Sequence, residues 1–159
     1  MAHNNTYNIR PARVQEIDAI VDLFAEEVAA GRMLARDKEK MKGGIDDWRV
    51  AVNAEDVVVG CVSLVFFNPQ VCEVRSLAVD ANHRSNGLGK ALVEAAVDLA
   101  RERGADQVLT LTRAAGLFEN LGFVVDDIHN FPKKVQKDCV NCPFIENCDE
   151  IALLYTFPR

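Results

Sequence analysis

Residues 83–91 read His-Arg-Ser-Asn-Gly-Leu-Gly-Lys-Ala (HRSNGLGKA), between the apolar run VCEVRSLAV and a long helical pattern that opens at Leu88. Backbone N–H groups at a helix N-terminus lack intrahelical partners, and the helix dipole favours negative charge there. Glycine lets the main chain approach such a guest closely, so the stretch predicts a bound phosphate or pyrophosphate. Two familiar phosphate motifs do not fit. A Walker loop needs glycine six positions before Lys90, where this chain has Arg84, and Ser or Thr after it, where it has Ala91. A dinucleotide fingerprint needs a third small residue where this chain has Leu92, and no βαβ unit precedes it. The pattern that remains is R-x-x-G-x-G, Arg84 to Gly89, between a strand and a helix.

Working outward, the chain of 159 residues is long enough for one domain with its own core, and it is read as a single domain over 1–159. Apolar residues at 49% and charged residues at 26% fit an ordinary folded chain. A net charge of −6 argues against nucleic acid and acidic membranes as partners, so any anion must be held by local groups. The start MAHNNTYNIR does not read as a signal peptide, and no apolar run reaches bilayer length; a cytoplasmic location is expected. Five cysteines, an odd number, argue against a secreted disulfide scaffold.

Residues 7–11 read as an edge strand ended by Pro11. Ile17, Ile20, Val21, Phe24 and Val28 fall at helical spacing, which predicts one amphipathic helix from Val14 to Gly31. A charge-rich piece follows, and then Trp48–Val52 and Val57–Phe67 read as strands about the turn Asn53-Ala54-Glu55-Asp56. The apolar run preceding the glycine loop is a further strand, and the helix after it shows its face at Leu88, Leu92, Val93, Ala96, Val97 and Ala100, stopped by Gly104. A buried strand at Val108–Leu111, a short helix at Ala114–Asn120 and strands at Phe123–Val125 and Ile151–Phe157 complete an α/β pattern with a mixed sheet.

In order and spacing, SLAVDANHRSNGLGKALVEAA and AAGLFENLGF resemble the GNAT family of N-acetyltransferases, over roughly residues 7–127. The resemblance implies a mixed central sheet with splayed central strands, flanked by helices, and acetyl-CoA as cosubstrate. It implies that the main chain at Leu77, Ala78 and Val79 meets the pantetheine arm, with an N–H near Val79 on the thioester carbonyl. Arg84, Ser85, Asn86, Gly87, Leu88, Gly89 and Lys90 would hold the pyrophosphate, and Asn120 would touch the cofactor arm.

Acetyl transfer needs a neutral amine, whereas a peptide α-amine titrates near about 8 and lysine near about 10.4. A general base must therefore take a proton, and Glu73, on the strand feeding the glycine loop, is the best-placed carboxylate. The competing role for Glu73 is an ion pair with Arg75, two residues on and on the same strand face. Where the family often has a tyrosine to protonate the departing thiolate, this chain has Phe118, so no general acid is named.

GRMLARDKEKM, EVRSLAVDANHRSNGLG and LTRAAGLFENLGFVVDDIHNFPKKV resemble more closely the acetyltransferase domain of N-acetylglutamate synthases. That resemblance implies L-glutamate as the amine, a place in arginine biosynthesis, and a short form without the amino-acid-kinase-like domain. Arg36 would anchor a substrate carboxylate with Leu34 beside it, and Arg75, Ser76 and Arg113 would line the amine side. A planar guanidinium suits a carboxylate better than lysine does. The stretch KDCVNCPFIENCDE stands where such enzymes carry a basic segment, so the second carboxylate anchor is open, with Lys133, Lys134 and Lys137 as substitutes.

Cys139-x-x-Cys142-x5-Cys148 lies in a loop at 131–150 and begins at metal-ligand spacing. Zinc completed by His129 or Asp149, a thiol–disulfide switch and three inert thiols all stay open. Cys61 and Cys72 sit inside apolar strands and read as core packing. Two other functions stay open as well: acetylation of a different small amine or amino acid, and a non-catalytic acetyl-CoA or redox sensor. A homodimer stays open too.

Overall fold

The computed structural model describes residues 6–31, 33, 35–84, 86–127 and 151–158. Among these, seven strands, β1 (Asn8–Pro11), β2 (Trp48–Val52), β3 (Val58–Asn68), β4 (Val71–Val79), β5 (Gln107–Thr112), β6 (Val124–Val125) and β7 (Ile151–Thr156), are hydrogen-bonded in the order β1-β2-β3-β4-β5-β7-β6. The helices are α1 (Ile17–Leu23), α2 (Ala25–Ala29), α3 (Lys38–Gly43), α4 (Leu88–Glu102) and α5 (Ala115–Glu119). β4 and β5 are parallel while the β1–β2, β2–β3, β5–β7 and β6–β7 ladders are antiparallel, which is the mixed sheet the sequence predicts. A parallel pair needs a long crossover, and α4 supplies it.

The described residues divide into two compact units. One draws on the chain between Met1 and Ser63 and between Ser76 and Ala96; the other draws on Leu64 to Arg75 and Val97 to Arg159. In the first unit, Trp48 of β2 lies opposite Ser63 of β3 and Asn8 of β1 opposite Val52. Ile17, Ile20, Phe24, Met41, Trp48, Val50 and Cys61 form one buried cluster, each large apolar side chain contributing about 1.5–3 kcal/mol by leaving water. The single helix expected from Val14 to Gly31 is instead a 3₁₀ turn at Val14–Glu16 followed by α1 and α2, broken at Phe24 with φ −110° and ψ 12°. The Phe24 ring is 1% exposed and stacks on Trp48 with centroids 6.4 Å apart. Seating that ring on β2 displaces one continuous helical ladder, and nothing in the apolar spacing announces the break.

Gly60 of β3 faces α4. A Cβ there would lie 2.9 Å from Leu92 Cδ1, 3.3 Å from Ala51 Cβ and 3.4 Å from the Ala78 carbonyl oxygen, so glycine sets the closeness of helix to strand.

In the second unit, β5 pairs with β7 from Gln107–Thr156 to Thr112–Ile151, and β7 pairs with β6. The parallel ladder joins Val71–Glu73 to Gln107–Leu109, and the Thr110 hydroxyl then donates to the Val74 carbonyl at 3.3 Å. Phe118, Phe123, Tyr155 and Phe157 form a run of ring contacts with centroid separations of 5.2, 5.5 and 5.0 Å, in that order along the run.

Candidate active site

β4 ends at Val79, and Asp80 turns the chain: its N–H donates to the Val59 carbonyl at 2.8 Å, and its carboxylate accepts from the Asn82 N–H at 2.9 Å. A 3₁₀ turn at Ala81–His83 follows. Arg84 Nε donates to the Val79 carbonyl at 3.2 Å, and Asn86 Nδ2 donates to the carbonyls of His83 at 3.0 Å and Arg84 at 3.4 Å. The loop is thus braced by its own side chains. Gly87 has φ +75°, and a Cβ there would meet nothing within 4 Å, so backbone conformation rather than space selects glycine. The Ala91 N–H reaches the Gly87 carbonyl at 3.1 Å, closing the first turn of α4. Helix geometry leaves the N–H groups of Leu88, Gly89 and Lys90 without intrahelical acceptors. Asn86, Gly87 and Lys90 are exposed, Gly89 is half-buried and Leu88 is buried. Leu77, Ala78 and Val79 lie half-buried at the end of β4.

In the same unit, Asp37 caps α3, its carboxylate accepting from the N–H groups of Glu39 at 2.8 Å and Lys40 at 3.2 Å. This fixes the chain just after Arg36. Arg36 Nε donates to Ser76 Oγ at 3.0 Å, bringing together two of the predicted substrate residues from stretches forty positions apart. Ser76 is 7% exposed and has φ +57°, a left-handed backbone inside a strand. The Cys61 thiol donates to the Ser76 carbonyl at 3.3 Å.

In the second unit, Glu73 is a buried carboxylate and Arg75 is its ion-pair partner, so the charge below the surface is matched. The pairing that the sequence set against a base role is therefore formed. Arg75 also lies over the Phe67 ring, 5.6 Å from its centroid. Arg113 is exposed just beyond β5, and Asn120 is exposed at the end of α5. Phe118 is 2% exposed and edge-on to Phe123, a packing residue rather than a proton donor.

Cys61 and Cys72 are buried, and burial pushes each thiol up to about 12, so neither is a thiolate at neutral pH. Leu34, Ser85, the lysines at 133, 134 and 137, His129, Asp149 and the cluster Cys139, Cys142 and Cys148 lie outside the described residues. Among the described residues, no three His, Cys, Asp or Glu side chains group so as to hold a metal ion.

Sequence reasoning missed the backbone of Ser76, because serine in VCEVRSLAV carries no turn signal. It also missed the hydrogen bond between Tyr7 Oη and His83 Nδ1 at 2.9 Å, which ties the residue before β1 to the glycine loop. A glycine inside the apolar strand pattern at position 60 was a readable signal of close backbone approach.

Residues 17–123 match the model of the Acetyltransferase (GNAT) family, and the chain belongs to that family. An uncharacterized N-acetyltransferase of Chlorobaculum tepidum is 36% identical over 148 residues, 93% of this chain and 95% of the relative. The amino-acid acetyltransferase of Mannheimia succiniciproducens is 26% identical over 133 residues, 82% of this chain. The chain spans about 30% of the length of that relative. Among solved structures, N-acetylglutamate synthase from Neisseria gonorrhoeae complexed with coenzyme A and N-acetyl-glutamate has a TM-score of 0.83 at 23% identity, over 99% of this chain and 37% of that one. A Mycobacterium tuberculosis protein in complex with CoA has a TM-score of 0.81 at 21% identity, over 95% of this chain and 99% of that one. At these identities the structural likeness speaks for the fold.

Proposed function

We propose that this chain is an acetyl-CoA-dependent N-acetyltransferase whose acceptor is the α-amine of a free amino acid, L-glutamate first among them. The observation that carries the amino-acid assignment is the Arg36–Ser76 hydrogen bond, which fixes a guanidinium beside β4, the strand that leads into the glycine loop. A fixed guanidinium is a bidentate anchor for a carboxylate, which a polyamine acceptor would not need. The names of the amino-acid acetyltransferase relatives and the ligands in the Neisseria structure support the same class of acceptor.

The chemistry follows from the parts. Amides at 86–90 hold the diphosphate of the cosubstrate, so that its thioester lies along the end of β4. The amine nitrogen attacks the thioester carbonyl carbon, the C–S bond breaks, and the amide forms as the thiolate leaves. Glu73 takes the proton from the amine, directly or through water. Water or the acidity of the thiol serves the leaving group, since position 118 is phenylalanine.

Incubating the purified chain with acetyl-CoA and a panel of the twenty amino acids, a polyamine and a lysine peptide tests the proposal, with products identified by mass. The expected result is N-acetylglutamate or another N-acetylated amino acid. Best turnover on the polyamine or the peptide would overturn it.

A further inference from the structure

We propose that Ser76 is a positioning residue for Arg36: its left-handed backbone turns the hydroxyl onto Arg36 Nε and so fixes the guanidinium that receives the acceptor's carboxylate. The proposal rests on the amino-acid reading above and deepens it. A non-glycine residue at φ +57° is unfavourable, and such outliers persist where the surrounding structure imposes them. Glycine would hold this backbone without strain, yet the chain keeps a side chain here, and that side chain accepts the Arg36 Nε–H at 3.0 Å. Both ends of the residue are tied. The Cys61 thiol donates to its carbonyl at 3.3 Å, and Cys61 is 0% exposed, in the core of the same unit. Burial to 7% shields the hydroxyl from water, which would otherwise compete for the guanidinium.

A long arginine side chain loses considerable freedom on binding a ligand, and restraining it beforehand removes part of that cost. The Nε bond ties the planar fork to a residue of β4. Ser76 therefore acts through Arg36 and needs no contact of its own with the reacting atoms.

The test is steady-state kinetics of Ser76→Ala, Ser76→Gly, Arg36→Ala and the Arg36→Ala/Ser76→Ala double variant, using the amino acid of highest turnover in the panel. Ser76→Ala keeps the backbone strain and loses the hydroxyl; Ser76→Gly loses both. Both are expected to raise the amino-acid KM about fivefold, the worth of one ordinary hydrogen bond, with kcat and the acetyl-CoA KM within about twofold. Ser76→Gly should keep its melting temperature within about 3 °C of the parent or above it, because relief of strain offsets the lost bond. The double variant should match Arg36→Ala alone. An unchanged KM in both serine variants with a raised KM in Arg36→Ala would overturn the proposal and leave the amino-acid reading standing. So would effects that add in the double variant. An unchanged KM in Arg36→Ala, or no turnover on any free amino acid, would overturn both. Loss of folding in both serine variants would assign Ser76 to the fold and overturn the positioning role.

Discussion

The chain has left-handed backbone at two places that bear on the proposed function, and it fills them differently. The glycine loop has Gly87 at φ +75° with open space around the missing Cβ. The strand leading into the loop has Ser76 at φ +57°, buried and hydrogen-bonded through its side chain. Where only main-chain amides are needed, glycine supplies the conformation at no steric cost; where a hydroxyl is needed as well, the strain is retained. In the proposed function the first position works by its backbone and the second by its side chain, so substitutions at the two should affect different substrates.

The largest effect is expected at Glu73, which tests whether β4 carries chemistry while the loop only binds. Glu73→Gln should lower kcat about 100-fold or more with the acetyl-CoA KM unchanged. Full activity in that variant would reduce Glu73 to the partner of Arg75. Next, Gly60→Val drives a branched side chain into Leu92, Ala51 and the Ala78 carbonyl, beneath the end of the same strand. It should cost about 3 kcal/mol of stability in a urea titration, and a change below about 0.5 kcal/mol would show that α4 can move away.

Gly87→Ala separates the two left-handed positions most cleanly. No atom obstructs the added methyl, so the cost is conformational alone, about 1–2 kcal/mol. The acetyl-CoA KM should rise about fivefold to tenfold while the amino-acid KM stays put. A rise in the amino-acid KM instead would merge the two roles.

The smallest effect lies away from both positions and serves as their control. The Arg10 guanidinium, hydrogen-bonded to Glu16 at 2.8 and 2.6 Å, holds that carboxyl below its ordinary value of 4.5. A depressed folded value stabilises fully above the ordinary one, and the contribution is lost as pH falls through the folded value. Glu16→Gln should therefore lower stability at pH 7, and the gap should close on acidification below about pH 4. A gap independent of pH would assign the loss to packing, and kinetic constants should stay unaltered.

Much of this was legible in the sequence, for physical reasons that differ by element. Gly87 and Gly89 ahead of the apolar stripe from Leu88 to Ala100 announced both the helix and the loop, because glycine there has few other uses. Strands β2 to β5 could be read from continuous apolar runs. The break at Phe24 could not, since it depends on a ring meeting Trp48 across the fold. Arg36 looked as much like a solvated charge in ARDKEKMK as like a ligand, and its bond to Ser76, on which the proposed anchor role rests, joins residues forty positions apart that no local pattern links. Ser76 itself was named from family likeness, while its conformation depends on tertiary contacts to Cys61 and Arg36 that no local pattern encodes.

A crystal structure with coenzyme A and L-glutamate bound is the most direct measurement. The diphosphate should sit on the amides of Asn86 to Lys90, with a glutamate carboxylate on the Arg36 guanidinium and the Arg36–Ser76 bond intact. A diphosphate held elsewhere, or a carboxylate with Arg36 turned away from Ser76, would contradict the assignment.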